Sequence, residues 1–473
     1  MAAALTALAL LAACSDPTAD HHHAPHRQPS RPGDGASATP SDSATVASPP
    51  PCRATYRAPA PHRPRVRLRF DVAPGLATVT GTEHVVLTPD LPVREMVFRL
   101  TANTPSSYLS GSSITVTSAR VDGAPVRRTF DLDGAVPTSQ GGLLRLRLPR
   151  PVPAGHPVTA DLSFALTLGG AGFDRFGRAH GVAWWGSGQP LLAWEDGVGW
   201  HTEPLAQIPA ESATSEAADT DLQVTAPAAD TVIGTGHLLA APARDDRRTW
   251  RSTEPAARDV VVTVGRLAAS SVDVGGTRVT VASWRSGELT RLRALQARAV
   301  RALTALYGPF PFRTLDVTSL PTDGGGIEYP AAILLAGVGS SVLTHETAHQ
   351  WFYAMVGDSQ ARDPWLDEAF AEFSERLVDG HLRTAALTGR APVGGSLRSW
   401  GSDSAAYYAT VYGKGAAMLT AARRAAGAAP FDAALRCYLR VRAWTIARPD
   451  DVRDAFGRLP AVLAVLTRAG AIG

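Results

Sequence analysis

Lysine is almost missing from this chain: Lys414 stands alone beside 45 arginines, a skew of the kind a GC-rich coding sequence produces. Cysteine is scarce too, and three in 473 residues exclude a small fold stapled by a disulfide framework. No apolar run reaches the roughly 18–20 residues that cross a bilayer, which excludes a polytopic membrane protein. An excess of one charge is also lacking. With 46 basic and 43 acidic residues the formal net charge is +3, too even for a polybasic chain, and nucleic acid is not an expected partner. Hydrophobic residues make up 45 %, enough to exclude a disordered chain. The length exceeds what one core organises, so two or three domains are expected.

What is present begins with an address. Residues Ala2 to Ala13 are almost wholly apolar and stop at Cys14, a stretch too short to span a membrane and suited to an export signal. Leu11-Ala12-Ala13-Cys14 resembles a bacterial lipobox, whose cysteine takes the lipid. The expectation is a signal peptide over 1–14, lipidation at Cys14, and attachment by lipid alone to the outer face of the cytoplasmic membrane. Residues 15–63 are rich in Pro, Ser, Ala, Asp and His and read as a disordered linker. Within it, His21-His22-His23 is either a solvated tract or a metal-binding run. With Cys14 lipidated, Cys52 and Cys437 remain as an even pair, whose bonding the sequence leaves open.

From Val66 the apolar period is two. Val66, Leu68, Phe70 and Val72 alternate with charged residues, and Leu144, Leu146 and Leu148 and then Leu162, Phe164, Leu166 and Leu168 repeat the pattern. Half-buried strands between turn signals predict an antiparallel β domain over 64–272, reaching Val260–Val264 and read as scaffold, with Val279–Val281 continuing the pattern. Near Glu288 the period changes. Leu292, Leu295, Ala299, Leu303 and Leu306 predict a helix that Gly308-Pro309 ends. A strand through Leu315 and Val317, the run Gly324 to Pro330, a helix from Ser340 to about Val356 and another from Trp365 complete a mixed domain over 273–473.

The helix from Ser340 carries His345-Glu346-Thr347-Ala348-His349. Histidines four apart lie on one helical face, so both imidazoles can reach one ion at about 2.0–2.1 Å. Glu346 is placed beside them to take a proton from water. Separated from His349 by eighteen residues, Glu368 offers a third ligand from a second helix and leaves a fourth position open. Glu328, Glu346, Glu368, Glu372 and Glu375 crowd one short window. Glu375, seven residues after Glu368 and on the same face, suits an acceptor that orients a ligand imidazole; Glu372 stays open between such a role and a solvated face.

At these residues the sequence resembles the gluzincin aminopeptidases, the family typified by aminopeptidase N. Its zinc pattern is matched at His345, Glu346, His349 and Glu368, its Gly-x-Met-Glu-Asn motif by Gly325-Gly326-Ile327-Glu328-Tyr329, and its Tyr-x-Lys-Gly element by Tyr412-Gly413-Lys414-Gly415. The resemblance implies an α+β multidomain protein, an N-terminal antiparallel β-sandwich or saddle domain followed by a thermolysin-like zinc peptidase domain. It implies one zinc ion per chain and peptide substrates, with Glu346 as general base and Tyr412 as oxyanion donor. Glu328 would hold the substrate α-amine, Gly325 and Gly326 would let a substrate strand lie close, and Glu195 would be a second acidic group at that end. Only 61 residues follow Tyr412, so an open cleft without the long C-terminal helical domain of larger members is expected. The rival readings are a zinc endopeptidase on the same site and an inactive peptide-binding envelope lipoprotein.

Overall fold

Strand Arg65–Val72 buries Leu68, Phe70 and Val72 and turns its charged residues outward, as its period of two requires. In a computed structural model of the chain, which describes residues 52–473 apart from 171, 173 and 213, that strand lies inside an eight-stranded sheet. The signal stretch, Cys14 and the histidine run fall outside the described residues. Thr78–Leu87 pairs with Arg65–Val72 antiparallel, but Ala218–Pro227 pairs with it parallel. This departs from the all-antiparallel expectation. The long excursion between the two strands supplies the crossover that parallel pairing needs. Two four-stranded sheets and a two-stranded one complete this half, and its core is sealed by edge-on contacts of Phe70 with Phe164 and Trp185 at 5.9 and 5.5 Å.

The second half is built on five strands, β1 (Ala268–Val274), β2 (Thr277–Ser283), β3 (Thr314–Leu320), β4 (Gly326–Tyr329) and β5 (Ala332–Ala336), in the order β1-β2-β3-β5-β4. The change of sheet thus precedes Ala268, short of the expected 273, and Val279–Val281 belongs to the second sheet. Strand β4 sits on the open edge, antiparallel to β5. Helix α1 (Leu289–Tyr307) ends at Gly308, whose φ of 107° suits glycine. It buries Leu292, Val300 and Leu303 and offers two polar docking points. Gln296 donates to Thr347 Oγ1 at 2.8 Å, and the hydroxyls of Tyr307 and Ser374 lie 2.6 Å apart. These residues fix α2 (Ser340–Ala348) and α3 (Trp365–Val378) on one support.

Two expectations need correction. Helix α2 stops at Ala348 rather than continuing to Val356. Beyond it Ala354, Met355 and Val356 donate to the carbonyls of His349, Gln350 and Trp351, five residues back, and Tyr353 adopts φ 110°, which no helix accommodates. Residues 52–63, expected as the end of a disordered linker, are instead docked, first on the second half and then, through Arg63 Nε donating to Asp219 Oδ1 at 2.8 Å, on the first. Arg57 N donates to Arg440 O at 2.9 Å, and Tyr56 Oη to Pro309 O at 2.8 Å. No helix among the described residues is long and apolar enough to cross a membrane.

Glu254, buried on strand Arg247–Ala257, lies near Asp316 of β3. Burial and the charge of Asp316 push the Glu254 carboxyl up to about 8, and burial pushes Asp316 up to about 7 against the pull of Thr280 and Arg278. Both folded-state values stand above the unfolded ones, so the stability is present in acid and is lost as pH rises through the folded values. Unfolding free energy is therefore expected to fall between about pH 5 and 8, by up to about 1.4 kcal/mol per pH unit for each group. Denaturant melts at stepped pH check this: Glu254→Gln should flatten the slope, and an unchanged slope would refute the assignment.

Candidate metal centre

His345 and His349 lie one turn apart at the C-terminal end of α2, and Glu368 lies in the first turn of α3. Their ligand atoms all fall within 4.8 Å of one another. Both imidazole Nε2 atoms stand 3.3 Å from one oxygen, Glu368 Oε2. Hydrogen bonds between charged partners run shorter, at roughly 2.7–2.9 Å. Ligands held about 2.0–2.1 Å from a tetrahedral ion stand roughly 3.3–3.4 Å apart. The spacing is that of a shared ion.

The remaining imidazole nitrogens are already engaged. His349 Nδ1 faces the carbonyl of Phe352 at 3.1 Å, and His345 Nδ1 faces Glu372 and Glu375 at 3.4 and 3.6 Å. Both rings therefore present Nε2 inward. The structure brings the predicted Glu375 to a ligand histidine and adds Glu372, one turn after Glu368 and slightly closer. Burial disfavours charge on both imidazoles, but the surrounding carboxylates outweigh it and raise them, His349 to about 9. Burial likewise opposes charge on Glu368, yet the two histidines hold its carboxyl well below the usual range. This field favours a cation, and the donor set fits zinc.

Glu346 projects beside the ligands, and its Oε2 is buried with no hydrogen-bond partner among the described residues. Burial pushes this carboxyl up to about 8 although both imidazoles pull it down. Gly326 makes room for it: a Cβ there would sit 2.3 Å from Glu346 Cγ. Glu328, on the same edge strand, has a ligand atom within 4.8 Å of those of Glu346 and His349. Gln350 ties the two elements together, donating to Tyr329 O and accepting from Ala331 N, each at 3.0 Å.

Tyr412 belongs to a π-helical stretch, Tyr408–Lys414, a form that inserts one extra residue into a helix and recurs at functional sites. Its ring lies 5.7 Å from that of His345 and nearly parallel to it. Burial and the charge of Glu368 raise its phenol well above the usual value. Lys414 turns away and donates to Ala391 O at 2.6 Å. Gly415 lets the next helix approach α3, because a Cβ there would meet Ala369 Cβ at 2.5 Å.

The metal-binding residues, Glu346, Glu372, Glu375 and Tyr412 line a cleft of about 430 Å³, together with Gly325, Gly326, Glu328 and, from the first half, Asp174, Arg175, Ser187 and Asp259. The reading of that half as mere scaffold is thus corrected. No periodicity marks Arg175 or Asp259 as cleft residues. Glu195 needs correction as well. It does not line the cleft but is held by His201 Nε2 at 2.5 Å, Arg448 Nη2 at 2.6 Å and Arg362 Nη2 at 3.3 Å. It is a buried ion-pair hub between the halves, and three cationic partners leave no oxygen for a substrate amine.

Parts of this chain are similar to known proteins in sequence, and most of it in fold. Residues 338–466 match the Peptidase family M1 domain. The tricorn protease-interacting factor F2 of Thermoplasma volcanium is 28 % identical over 168 residues, 32 % of this chain and 20 % of that protein. Human aminopeptidase B is 33 % identical over 92 residues, 18 % of this chain and 14 % of that protein. The chain therefore spans a fifth or less of the length of these relatives. Among solved structures, the M1 zinc metallopeptidase of Deinococcus radiodurans superposes with a TM-score of 0.64 at 20 % identity, over 87 % of this chain and 94 % of that one. A mutant of that metallopeptidase bound to a Tyr-Ser-Ala substrate gives 0.65 at 19 % identity, over 87 % and 95 %. At such identity the likeness speaks for the fold, and it bears out the β domain followed by a peptidase-like domain.

If the three donors hold one ion, purified protein carries about one equivalent of zinc. Glu368→Ala should lose it on dialysis, and replacing Glu372 and Glu375 together by Gln should weaken zinc about 10–100-fold. Metal analysis after competition with a chelator measures both, and retention by Glu368→Ala would contradict the site.

Proposed function

We propose that this chain, whose residues 338–466 match the Peptidase family M1 domain, is a zinc-dependent aminopeptidase that removes N-terminal residues from peptides. The observation that carries the reading is the placing of Glu328 within 4.8 Å of both Glu346 and His349. An anion fixed there marks the end of the cleft and leaves about one residue between an α-ammonium group and the bond to be cut.

His345, His349 and Glu368 would hold the metal. Zinc, when bound, polarises a peptide carbonyl and lowers the pKa of a water. Glu346, with Oε2 free of partners among the described residues, takes the proton from the attacking water and passes it to the leaving amine. Tyr412 keeps its proton, since its phenol is raised, and donates a hydrogen bond to the oxyanion, a contribution of about 2.7–4 kcal/mol for one such donor. Glu328 binds the α-ammonium group and selects free N-termini. Strand β4 lies on the sheet edge, where the backbone at Gly325 and Gly326 can pair with an extended substrate. The leader with Cys14 completes the proposal: an exported peptidase held at the envelope by lipid.

The decisive comparison is hydrolysis of free against N-acetylated aminoacyl substrates. Turnover of the free amine alone is expected. Glu346→Gln should keep its zinc and lose about 10²–10⁴-fold in kcat, whereas Glu328→Gln should act mainly on KM and erode the preference for a free amine. Equal turnover of both substrates would indicate an endopeptidase, and no turnover with zinc bound would indicate a peptide-binding protein.

A further inference from the structure

The described chain opens at Cys52, and Cys52 lies against helix α4 (Ala428–Arg442), which carries Cys437. The two thiols line one apolar hollow with Pro430, Tyr438 and Leu459, and both are free in the structure. The backbone flanking them is already docked. Arg57 N donates to Arg440 O at 2.9 Å, and Arg440 Nη1 donates to Arg53 O at 3.4 Å. Cys437 and Arg440, three apart, share one face of α4, so residues 52–57 run along that face and bring Cys52 to Cys437. Burial and the neighbouring Cys52 thiol push the Cys437 thiol up to about 11.

We propose that Cys52 and Cys437 form a disulfide that fastens the segment 52–63 across the second half and holds Tyr56 beneath the metal-binding residues. Tyr56 Oη accepts from Trp351 Nε1 at 3.0 Å and donates to Pro309 O at 2.8 Å. Trp351 follows the ligand His349 by two positions. The strap therefore ends on the turn that closes the metal site.

The chemistry is a thiol–disulfide exchange with a small-molecule disulfide such as oxidised glutathione as the oxidant. Cys52 is exposed and meets it first. Its thiolate attacks one sulfur and expels one glutathione thiolate; the Cys437 thiolate then attacks Cys52 Sγ and expels the second. Two cysteine protons go to the two departing thiolates, and two electrons leave the protein with them. The cysteines come from opposite ends of the described chain, so the bond closes a very long loop in the unfolded state, the case in which a cross-link constrains unfolding most in the chain-entropy picture.

The test uses the full chain with its zinc and does not depend on peptidase activity. Protein equilibrated with oxidised glutathione is alkylated, digested without reductant and mapped by mass spectrometry. A peptide pair joined through Cys52 and Cys437 is expected. Recovery of both cysteines alkylated, or of Cys52 joined to glutathione or Cys14, would overturn the pairing. Reduction of the wild type should lower Tm by about 5 °C or more and speed zinc loss to a chelator severalfold, while Cys52→Ser should respond to reductant in neither assay. An oxidised protein whose Tm and zinc release ignore reduction would overturn the fastening role.

Discussion

Three donor atoms that repel one another when unprotonated are held within 4.8 Å, both imidazole nitrogens 3.3 Å from the carboxylate oxygen, and the rest of the second half serves that spacing. Lone pairs turned toward a common point are unfavourable in an interior that excludes water. The protein meets the cost by engaging the second nitrogen of each imidazole. A carbonyl, that of Phe352, holds one ring and two carboxylates hold the other. The rings cannot rotate away from the point they share. The local field is strongly anionic, with Glu328, Glu346, Glu368, Glu372 and Glu375 all close to it, and only a cation resolves it.

The supporting structure follows from the same demand. Helices α2 and α3 are not neighbours by virtue of a short loop; each is docked separately on α1, through Gln296 and through Tyr307. The early end of α2 is part of the arrangement. A continued helix would have used the Phe352 carbonyl in its own ladder, whereas the wide turns from His349 to Val356 direct it toward the imidazole. Gln350, next to the ligand, then pins the bend after the edge strand at Tyr329 and Ala331. The position of Glu328 relative to His349 is thereby set by two hydrogen bonds.

What the amino-acid order reveals is confined to features with a local signature. The i, i+4 histidines, the glutamate between them and the third ligand one helix later are legible because a helix fixes their geometry at short range. Period-two and helical patterns likewise disclose the two halves and helix α1, stopped at Gly308. Glu195 was misplaced because nothing near it in sequence announces Arg362 and Arg448, which reach it from far along the chain. Arg175 and Asp259 were missed for the same reason, since their place in the cleft depends on how two halves meet. The end of α2 was misjudged because helical period and wide turns share apolar residues, and only the φ of Tyr353 separates them.

The meeting of the halves is itself a consequence of the turn beyond α2. Wide turns leave carbonyls that no helix satisfies, and buried carbonyls without partners are costly. Arg258, from the first half, reaches the carbonyls of Ala354 and Met355 and, further along the chain, Thr445, passing over Gly357, where a Cβ would lie 2.4 Å from its Cζ. The same guanidinium donates to Ser215 O at 2.8 Å in its own half. One cation thus supplies the donor for the Ala354 carbonyl and a second donor for that of Met355, which also accepts from Trp444 N at 2.7 Å, in the turn that orients His349. The β half is bound to the metal centre by need rather than adjacency: without Arg258 the turn would be under-satisfied, and with the turn disturbed the Phe352 carbonyl would no longer hold its imidazole.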